Sequence, residues 1–519
     1  MPEVHFCVRW PDGARQRCLS PSRTIEDALT AGAAYPVEEF VRRSVEALET
    51  GSERVRELRG FSCTAAAAQA DAIVARSTGQ TGHVVVEEVQ RAPTPKRFPA
   101  PERIGGHVPV VIVGGGQAGL SLSRVLSDRG VEHLVLERDR LGCSWRDERW
   151  DSFCLVTPNH QCRLPGFPYR DGDPDGFMVQ EEIIAFLDAF AGSFDPPLYE
   201  GVAVRRVAQD DDGCFAVSTS HGDLTADQVV LAVGGYHAPA VPRPADALPP
   251  HVTQRHSSTY RSPLALPDGA VMVVGSGQSG AQIAEDLHLA RRTVHLAVGA
   301  APRVARFYRG RDVVAWLEDM GHYDLPIERH PQGMDARKEA NHYVTGRDGG
   351  RDIDLRQFAA EGMRLHGRLE RIDAGRACFA GDLAKNLDAA DATSERIKDT
   401  IDRWIEERGL DAPTEERYVP VWSPPDGDGA HGLDLEAEGI TSVIWATGFR
   451  SDWSWVEIPA FDGKGYPVHH RGVTSVEGLH VLGLPWLHTW GSGRFAGISR
   501  DADHIGEHVV AGLRERAAA

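Results

Sequence analysis

One nine-residue pattern occurs twice in this 519-residue chain. It reads V-I-V-G-G-G-Q-A-G over residues 111–119 and M-V-V-G-S-G-Q-S-G over residues 272–280. Each copy follows an apolar, β-branched run and precedes a helical pattern, the context in which G-x-G-x-x-G binds a dinucleotide. The sequence therefore predicts an α/β fold with two Rossmann-like dinucleotide-binding domains.

The three glycines of each copy have separate tasks. The first permits a tight turn, the second lets the backbone approach a diphosphate, and the third lets helix and strand pack closely. The diphosphate then meets N–H groups at the positive end of a helix. The predicted contacts are Gly114, Gly116, Gln117 and Gly119 in the first copy, and Gly275, Ser276, Gly277, Gln278, Ser279 and Gly280 in the second.

The strand that follows each copy distinguishes the two ligands. Glu137 ends residues 131–137, about 20 residues beyond the first turn, where a carboxylate accepts hydrogen bonds from ribose hydroxyls. That arrangement suits FAD or NAD. The matching run 293–298 ends at Gly299 without an acid, and Arg303 and Arg306 follow. Arginines suit a 2′-phosphate, which predicts NADPH at the second site. A solvated basic loop is the alternative interpretation.

Composition restricts the partners. The 56 basic and 75 acidic residues give a net charge of -19, which argues against a nucleic acid or an anionic membrane surface. No apolar run is long enough for a membrane span and no signal peptide precedes the first strand, so we expect a cytoplasmic protein. The eight cysteines form no C-x-x-C pair, so neither a metal site nor a redox dithiol is predicted.

The chain divides into several regions. Residues 1–90 predict a small α+β domain, and the proline-rich residues 91–107 predict a linker. Alternating strands and helices then predict an FAD-binding domain over 108–250 and 440–519, with an NADPH-binding domain over 251–439 inserted in it. Within the insertion, residues 382–407 have helical periodicity. Residues 382–407 form either a helical cap over the site or a helix on the protein surface away from it.

From residue 108 to 519 the chain resembles the flavin-containing monooxygenases. The resemblance rests on both glycine motifs, on the segment 446–449 with Thr447 and Gly448, and on the stretch 142–145 that ends at Trp145. Residues 155–165 also resemble a run of the plant auxin-forming members. The resemblance implies FAD in the first site, NADPH in the second, Trp145 near the flavin, and O2 and a small molecule as substrates.

The chain departs from that family at several positions. The family fingerprint reads F-x-G-x-x-x-H-x-x-x-(F/Y/W). Only residues 256–260 match it, and Pro250 and Val252 stand at the positions of its phenylalanine and glycine. Val156 aligns with an asparagine that supports oxygen transfer in many members, and Asn159 aligns with a lysine of the plant enzymes. An NADPH oxidase or diaphorase of the same fold, which releases H2O2, therefore stays open beside a monooxygenase.

Two further segments resemble a bacterial flavin-dependent oxidoreductase family encoded beside a nitrilase. They are residues 341–350 and 484–495, whereas residues 1–90 resemble a small nitrogen-starvation response family. This resemblance implies a nitrogen-containing metabolite as substrate. A homodimer and a pathway enzyme bound through residues 1–90 stay open as partners, and so does a redox-sensing, partner-binding protein as the function.

Catalytic candidates lie mainly in the tail 485–495. The resemblance implies that this tail lies against the flavin, because in that family the last strand delivers the chain to the ring. His488 is a candidate to protonate or hydrogen-bond substrate or flavin, since an unperturbed histidine titrates near pH 6.5, and Arg494 is a candidate to neutralise charge on reduced flavin. A packed histidine and a surface ion pair are the alternatives. The other catalytic candidates are Asn159 and Tyr343, and the remaining predicted cofactor contacts are Val204, Gly483 and Trp490.

Residues 453–459 are similar to the W-x-W-x-I-P signature of flavin-dependent halogenases. They contain one residue too many, and they follow the Thr447–Gly448 exit, where that signature is not found. The aromatic enrichment of strands favours a core strand end, and halogenation stays a minor alternative.

Overall fold

A computed structural model describes residues 4–20, 22–59, 64–91, 96–170, 173–338, 340–425 and 431–518. The chain separates into two compact units, Met1–Lys96 and Arg97–Ala519. The division falls inside the predicted linker, of which residues 92–95 lie outside the described residues. Among the described residues, none of the helices combines the length and the apolar character needed to cross a bilayer.

The first unit is the predicted α+β domain. Its four-stranded antiparallel sheet has the order β2-β1-β4-β3. Alternate residues of the first strand, Val4, Phe6 and Val8, are buried with Phe40 and Ile73 of the helices, as the period of two along a strand requires. The elements are β1 (Val4–Arg9), β2 (Arg15–Ser20), α1 (Thr24–Ala28), β3 (Ala34–Pro36), α2 (Val37–Arg59), α3 (Thr64–Ser77) and β4 (His83–Arg91).

The second unit contains the two nucleotide domains. Its strands are β5 (His107–Val113), β6 (Leu134–Glu137), β7 (Arg163–Leu164), β8 (Phe167–Pro168), β9 (Leu198–Glu200), β10 (Val204–Gln209), β11 (Phe215–Thr219), β12 (Gly222–Leu231), β13 (Ala238–Pro239), β14 (Thr253–His256), β15 (Ala270–Val274), β16 (Val294–Ala297), β17 (Phe307–Tyr308), β18 (Arg311–Asp312), β19 (Arg364–His366), β20 (Leu369–Asp373), β21 (Arg376–Phe379), β22 (His431–Asp434), β23 (Ile440–Trp445), β24 (Phe449–Arg450), β25 (Val456–Glu457), β26 (His469–His470), β27 (Val473–Thr474) and β28 (Leu479–Val481). Its helices are α4 (Gln117–Asp128), α5 (Cys143–Arg146), α6 (Gln180–Gly192), α7 (Gln278–Leu289), α8 (Val313–Asp319), α9 (Leu355–Ala360), α10 (Leu383–Arg408) and α11 (Ile498–Ala518).

The sheet of the first nucleotide domain is built around β5. This strand pairs in parallel with β12 on one side and β6 on the other, β6 pairs with β9, and β12 pairs with β28 near the end of the chain. The return of β28 to this sheet agrees with the predicted insertion of the second nucleotide domain. The mixed α/β fold is therefore the predicted one.

The sheet of the second nucleotide domain has the order β14-β23-β15-β16-β19, and all its pairings are parallel. Strand β23 lies inside this sheet, between β14 and β15, so the sequence boundary that assigned residues 440–445 to the FAD domain is wrong. A short apolar run buried on both faces suits the middle of either parallel sheet, and composition does not decide between them.

Helix α10 confirms the periodicity of residues 382–407. Its buried face includes Leu387 and Ile401, and Ile401 packs with Tyr308 and Trp316. Near its start, Asn386 Nδ2 donates to the Val298 carbonyl at 3.1 Å. The helix is therefore packed into the second domain, beside the end of β16.

Candidate functional site

The first glycine loop has the steric properties that its three tasks require. Gly114 has φ +111°, and a Cβ there would lie 2.6 Å from the Ala232 carbonyl oxygen. A Cβ on Gly119 would lie 1.9 Å from the Gly114 oxygen, whereas one on Gly116 would meet nothing within 4 Å. The turn and the packing positions are closed to a side chain, and the middle position opens onto free space at the start of α4.

The second loop repeats this arrangement. Gly275 has φ +102°, and its Cβ would lie 2.6 Å from the Ala446 oxygen. A Cβ on Gly280 would lie 1.9 Å from the Gly275 oxygen, and one on Gly277 would meet nothing within 4 Å. Both loops therefore fit a diphosphate held on N–H groups at a helix start.

Glu137 lies at the end of β6 and faces the first loop. Its Oε2 accepts from the Gly115 N–H at 2.7 Å, and its Oε1 accepts from the Asp139 N–H at 2.9 Å. Burial raises the pKa of this carboxyl group above its ordinary value. An ionised carboxylate has about four acceptor sites, so two bonds leave capacity for ribose hydroxyls. The Val202 N–H donates to the Glu137 carbonyl at 2.8 Å, and the predicted contact Val204 begins β10 two residues later.

The second loop has no such carboxylate. Strand pairing aligns Leu136 with Val113 and Ala297 with Val274, so Val298 takes the position of Glu137. The hydrogen bond between loop and strand end runs in the opposite direction here, because the Gly299 N–H after the strand donates to Ser276 Oγ of the loop at 3.0 Å. Ser279 lies in the first turn of α7. The strand end is therefore neutral where the first site is acidic.

Arg303 and Arg306, the predicted phosphate contacts, are buried and bound to protein groups. Arg303 is 4% exposed, and its Nε lies 2.8 Å from Asp391 Oδ1. Arg306 is 1% exposed, donates to the Val156 carbonyl at 2.8 Å, and pairs with Asp312 at 2.5 Å. These contacts favour a structural role, since both guanidinium groups already have carboxylate partners.

Gln117 connects three distant parts of the first domain. Its Nε2 donates to the Gly493 carbonyl at 2.6 Å, and its Oε1 accepts from Trp145 Nε1 at 3.0 Å. The Trp145 ring stacks on Phe495 with centroids 5.8 Å apart. The predicted flavin contacts in the loop, in α5 and in the tail thus come together.

Gly483 also brings the tail close to the first loop. A Cβ there would lie 2.6 Å from Ala118 Cβ, so the exit of β28 passes directly over the start of α4. Only a glycine permits this approach with φ at +81°.

Gln278 has the corresponding position in the second loop. Its Nε2 donates to the Val344 carbonyl at 2.7 Å, and its Oε1 accepts from the Val344 N–H at 3.3 Å. The neighbouring Tyr343 is 2% exposed, and burial raises its pKa. Tyr343 is therefore a core residue beside the second loop, and its geometry does not favour a catalytic role.

The remaining tail candidates have different environments. Arg494 donates to Asn341 Oδ1 at 2.8 Å, and its Cζ lies 3.8 Å from the centroid of the Trp490 ring. Burial and the nearby Arg471 and Arg500 lower the pKa of His488 to about 4, so its ring is neutral at pH 7. A neutral, part-buried ring favours the packing interpretation of His488.

Asn159 and Val156 lie in the loop after α5. Asn159 is 6% exposed, and its Nδ2 donates to the Asp173 carbonyl at 2.8 Å. Val156 contributes its carbonyl to Arg306, and its side chain offers no hydrogen-bond donor. The amide of Asn159 therefore holds a neighbouring loop.

Thr447 and Gly448 lie where the chain crosses between the two domains. Thr447 Oγ1 donates to the Ala240 carbonyl at 2.6 Å, and His256 Nε2 lies 2.9 Å from the Gly448 oxygen. His256, the histidine that remains of the family fingerprint, therefore holds the segment at which the chain passes between the two domains. Trp453 is 7% exposed and packs in the hydrophobic core of the first nucleotide domain. This packing favours the strand-end interpretation of residues 453–459 over a halogenase signature.

Sequence reasoning omitted Arg149, Asn341 and Tyr236. Arg149 lies with its Cζ 5.1 Å from the centroid of the Trp145 ring, and Asn341 holds Arg494. Tyr236 is 52% exposed at the glycine exit of β12. Arg149 lies beyond the end of α5 at Arg146, so helical spacing gave no signal for it.

Comparisons with known proteins agree with this geometry. Residues 111–320 match the pyridine nucleotide-disulphide oxidoreductase family, and residues 5–89 match the nitrogen starvation-induced protein NitG. A flavin monooxygenase from Stenotrophomonas maltophilia, a double mutant, shares the fold with a TM-score of 0.53 and 20% identity over 78% of this chain and 99% of that one. The chain therefore has the fold of a flavin monooxygenase, and its matched segment is that of a pyridine nucleotide-disulphide oxidoreductase.

The sequence relatives identify the family. A CzcO-like oxidoreductase of Geobacillus kaustophilus (strain HTA426) is 31% identical over 405 residues, 77% of this chain and 97% of the relative. An indole-3-pyruvate monooxygenase of Oryza sativa subsp. japonica is 31% identical over 231 residues, 42% of this chain and 57% of the plant protein. The chain belongs to the CzcO-like oxidoreductases, and it carries a NitG domain at its N-terminal end.

Proposed function

We propose that this chain is an FAD- and NADPH-dependent monooxygenase that oxidises a small nitrogen-containing metabolite with O2. Gly116, Gln117 and Glu137 would hold FAD, and Gly277 and Gln278 would hold NADPH. Together the two cofactors would supply the two electrons that reduce O2, so that one oxygen atom would enter the substrate and the other would leave as water. The protein positions the two nucleotides and excludes water from the space between them.

The observation that carries this proposal is the pair of glycine loops with different strand ends. Each loop has one open glycine, Gly116 or Gly277, at the start of a helix. Glu137 supports an unphosphorylated ribose at the first loop, and the neutral Val298 takes its place at the second. Gln117 and Gln278 then bind each loop to a segment that is distant in sequence.

NADPH is the proposed donor because the second site lacks an acid and has an exposed arginine nearby. Ala297 pairs with His366, so Arg368 follows the end of the strand beside Gly299. The Arg368 side chain is 68% exposed, and its nearest carboxylate oxygen, on Asp382, lies 3.9 Å away. A guanidinium group in this position suits a 2′-phosphate, a role for which Arg303 and Arg306 are already occupied.

The test is reduction of the purified, full-length protein without oxygen. We expect a yellow protein that contains FAD and whose flavin is bleached at least about tenfold faster by NADPH than by NADH. After air is admitted in the presence of substrate, NADPH consumed should exceed H2O2 released. A colourless protein, or equal rates with the two nucleotides, contradicts the cofactor assignment.

An NADPH oxidase is the second candidate function, and Val156 favours it. Its side chain has no donor where many monooxygenases carry an asparagine. An oxidase would release one H2O2 for each NADPH whether or not a nitrogenous substrate is added. The same stoichiometry measurement therefore separates the two functions.

For the NitG domain we propose a binding role toward an enzyme of the same pathway. The domain has its own buried core, which includes Phe6 and Phe40. Removing residues 1–96 should leave flavin reduction unchanged and abolish co-purification of a pathway enzyme. Slower reduction of the flavin in the truncated protein would contradict this role.

A further inference from the structure

Two adjacent carboxylates are buried in α7, the helix that begins at the second glycine loop. Glu285 is 2% exposed and pairs with Arg351, whose Nη1 lies 3.0 Å from Glu285 Oε1. Asp286 is 5% exposed, and its Oδ1 accepts from Arg347 Nη1 at 3.0 Å. Both arginines belong to residues 343–351, which we term the bridging loop. Since an unpaired buried charge is costly, these ion pairs attach the bridging loop to α7.

Asp286 is also bound by the first nucleotide domain. Its Oδ1 accepts from Ser152 Oγ at 2.6 Å, and Ser152 belongs to the loop after α5. Its Oδ2 accepts from the Tyr260 hydroxyl at 2.7 Å. One turn earlier in α7, Gln282 Nε2 donates to the Cys154 carbonyl at 3.4 Å. Side chains of this helix therefore join the second domain to the first.

The bridging loop contacts the first domain directly as well. A Cβ on Gly346 would lie 2.1 Å from the Leu155 carbonyl oxygen and 2.7 Å from Phe177 Cγ, so only a glycine permits this approach. The same loop is bound to the second glycine loop, because Gln278 forms two hydrogen bonds with the Val344 backbone. The bridging loop therefore contacts the second glycine loop, its helix and the first domain.

The segments that these contacts join carry the proposed nucleotide sites. Gln278 begins α7, and Trp145, the predicted flavin contact, lies in α5, just before the loop that contains Ser152. Reacting atoms must lie about 3–3.5 Å apart, and a misplacement of about 1 Å can slow a reaction about 100-fold. Contacts that hold these segments together therefore bear on the rate of hydride transfer.

We propose that Arg347 and Asp286 are positioning residues, which hold the second glycine loop against the first domain in the arrangement that reduction of the flavin requires. Neither residue is assigned a contact with a nucleotide, so its removal should slow the reduction without weakening the binding of either nucleotide. The inference rests on the proposed function, because it takes FAD to bind at the first loop and NADPH at the second.

The test separates rate from affinity in the full-length protein with its FAD. The flavin is reduced without oxygen by saturating NADPH, and the Kd for NADP+ is measured separately. We expect Arg347→Gln and Asp286→Asn each to slow the reduction about tenfold or more and to change the Kd less than about twofold. The double variant should be about as slow as either single variant, because the two residues form one contact. Arg347→Lys keeps the charge and should recover most of the lost rate.

A second measurement reports positions rather than rates. A nicotinamide ring stacked on a reduced flavin gives a long-wavelength charge-transfer absorbance, which depends on how the protein places the two rings. NADP+ is added to the dithionite-reduced protein at a concentration that saturates each variant. We expect the absorbance to be largely lost in Arg347→Gln and restored in Arg347→Lys. A residue that only stabilised the fold would leave this absorbance at the wild-type value for each bound flavin.

Two further variants serve as a matched control and as a milder test. Glu361 Oε2 lies 2.8 Å from Nε2 of His288, which is on the same helix, but both residues belong to the second domain. Glu361→Gln should therefore change neither the rate nor the absorbance. Ser152→Ala removes a single hydroxyl contact and should slow the reduction about threefold. The FAD content and the Tm of every variant report whether it is folded.

Several outcomes would overturn the inference. Unchanged rates in both Arg347→Gln and Ser152→Ala would do so, and so would an unchanged charge-transfer absorbance in Arg347→Gln. A slower reduction that disappears at higher NADPH would assign Arg347 to nucleotide binding instead. A wild-type protein that is colourless, or that NADPH does not reduce, would contradict the proposed function itself, which separates that failure from failure of this inference.

Discussion

The two glycine loops have the same steric design and opposite chemistry at the strand end. In both, a Cβ on the third glycine would lie 1.9 Å from the first glycine's oxygen, and the middle glycine is open. At the first loop Glu137 accepts from a loop N–H, whereas at the second Ser276 accepts from the strand. From the comparison we expect the loop to fix where a diphosphate lies and the strand end to select the ribose.

The shared steric design is tested by Gly119→Ala and Gly280→Ala. Each added Cβ would collide with backbone, so we expect a loss of about 3 kcal/mol or more in stability. Gly119→Ala should also abolish FAD retention, whereas Gly280→Ala should abolish reduction by NADPH with FAD still bound. Thermal unfolding and FAD content measure both effects.

Gly116→Ala and Gly277→Ala are the matched controls for that prediction. Their Cβ atoms enter open space, so stability should be unchanged and only nucleotide affinity should fall. If Gly119→Ala were as stable as Gly116→Ala, the assignment of the third glycine to packing would be wrong.

The acidic strand end is tested by Glu137→Gln. The amide loses the negative charge and half of its acceptor capacity, so the Kd for FAD should rise about tenfold or more, with an unchanged KM for NADPH. Equilibrium titration of the FAD-free protein measures this. Asp139→Asn, at a half-exposed carboxylate paired with Arg138, should have little effect.

The neutral strand end is tested by Gly299→Asp. A Cβ at Gly299 would meet nothing within 4 Å, so the substitution fits, and the new carboxylate should repel a 2′-phosphate. We expect the preference for NADPH over NADH to fall about tenfold. Gly299→Ala should keep the preference, and a matching fall in that variant would show that charge is not the cause.

The proposed phosphate contact is tested by Arg368→Ala. Its KM for NADPH should rise about threefold to tenfold while its KM for NADH stays constant, because the guanidinium group is exposed and screened. Arg371→Ala serves as the control, because Arg371 is also exposed and lies on the adjoining strand β20. An equal rise in the KM for NADPH and for NADH would show that Arg368 does not bind the 2′-phosphate.

Each sheet contains a buried histidine whose pKa is lowered to about 4, His480 in the first and His295 in the second. His295 is buried where the first sheet has Leu134, and burial lowers its pKa to about 4. An unfolded histidine titrates near 6.5, so stability falls as the pH drops from about 6.5 toward 4. His295→Leu should reduce this acid-induced loss by on the order of 1 kcal/mol in chemical unfolding. An unchanged pH dependence would exclude His295 as its source.

Much of this site could be predicted because its motifs are local. The glycine loops, Glu137 and the periodicity of α10 depend on residues within one strand–turn–helix unit. The roles of Arg303 and Arg306 could not be predicted, since Asp391 lies far along the chain from Arg303, and burial depends on packing. Strand β23 was misassigned for a similar reason, because its apolar run suits both sheets.

The hydrogen bond from Gln117 to Gly493 joins residues that are 376 positions apart. Closing so long a loop is entropically costly, so we expect this contact to form late in folding. Synthesis proceeds from the N-terminus, and the inserted nucleotide domain is complete before the tail emerges. We therefore expect a ribosome-bound chain that stops before residue 493 to hold a folded second site and an unfinished first one, so that flavin would be captured last.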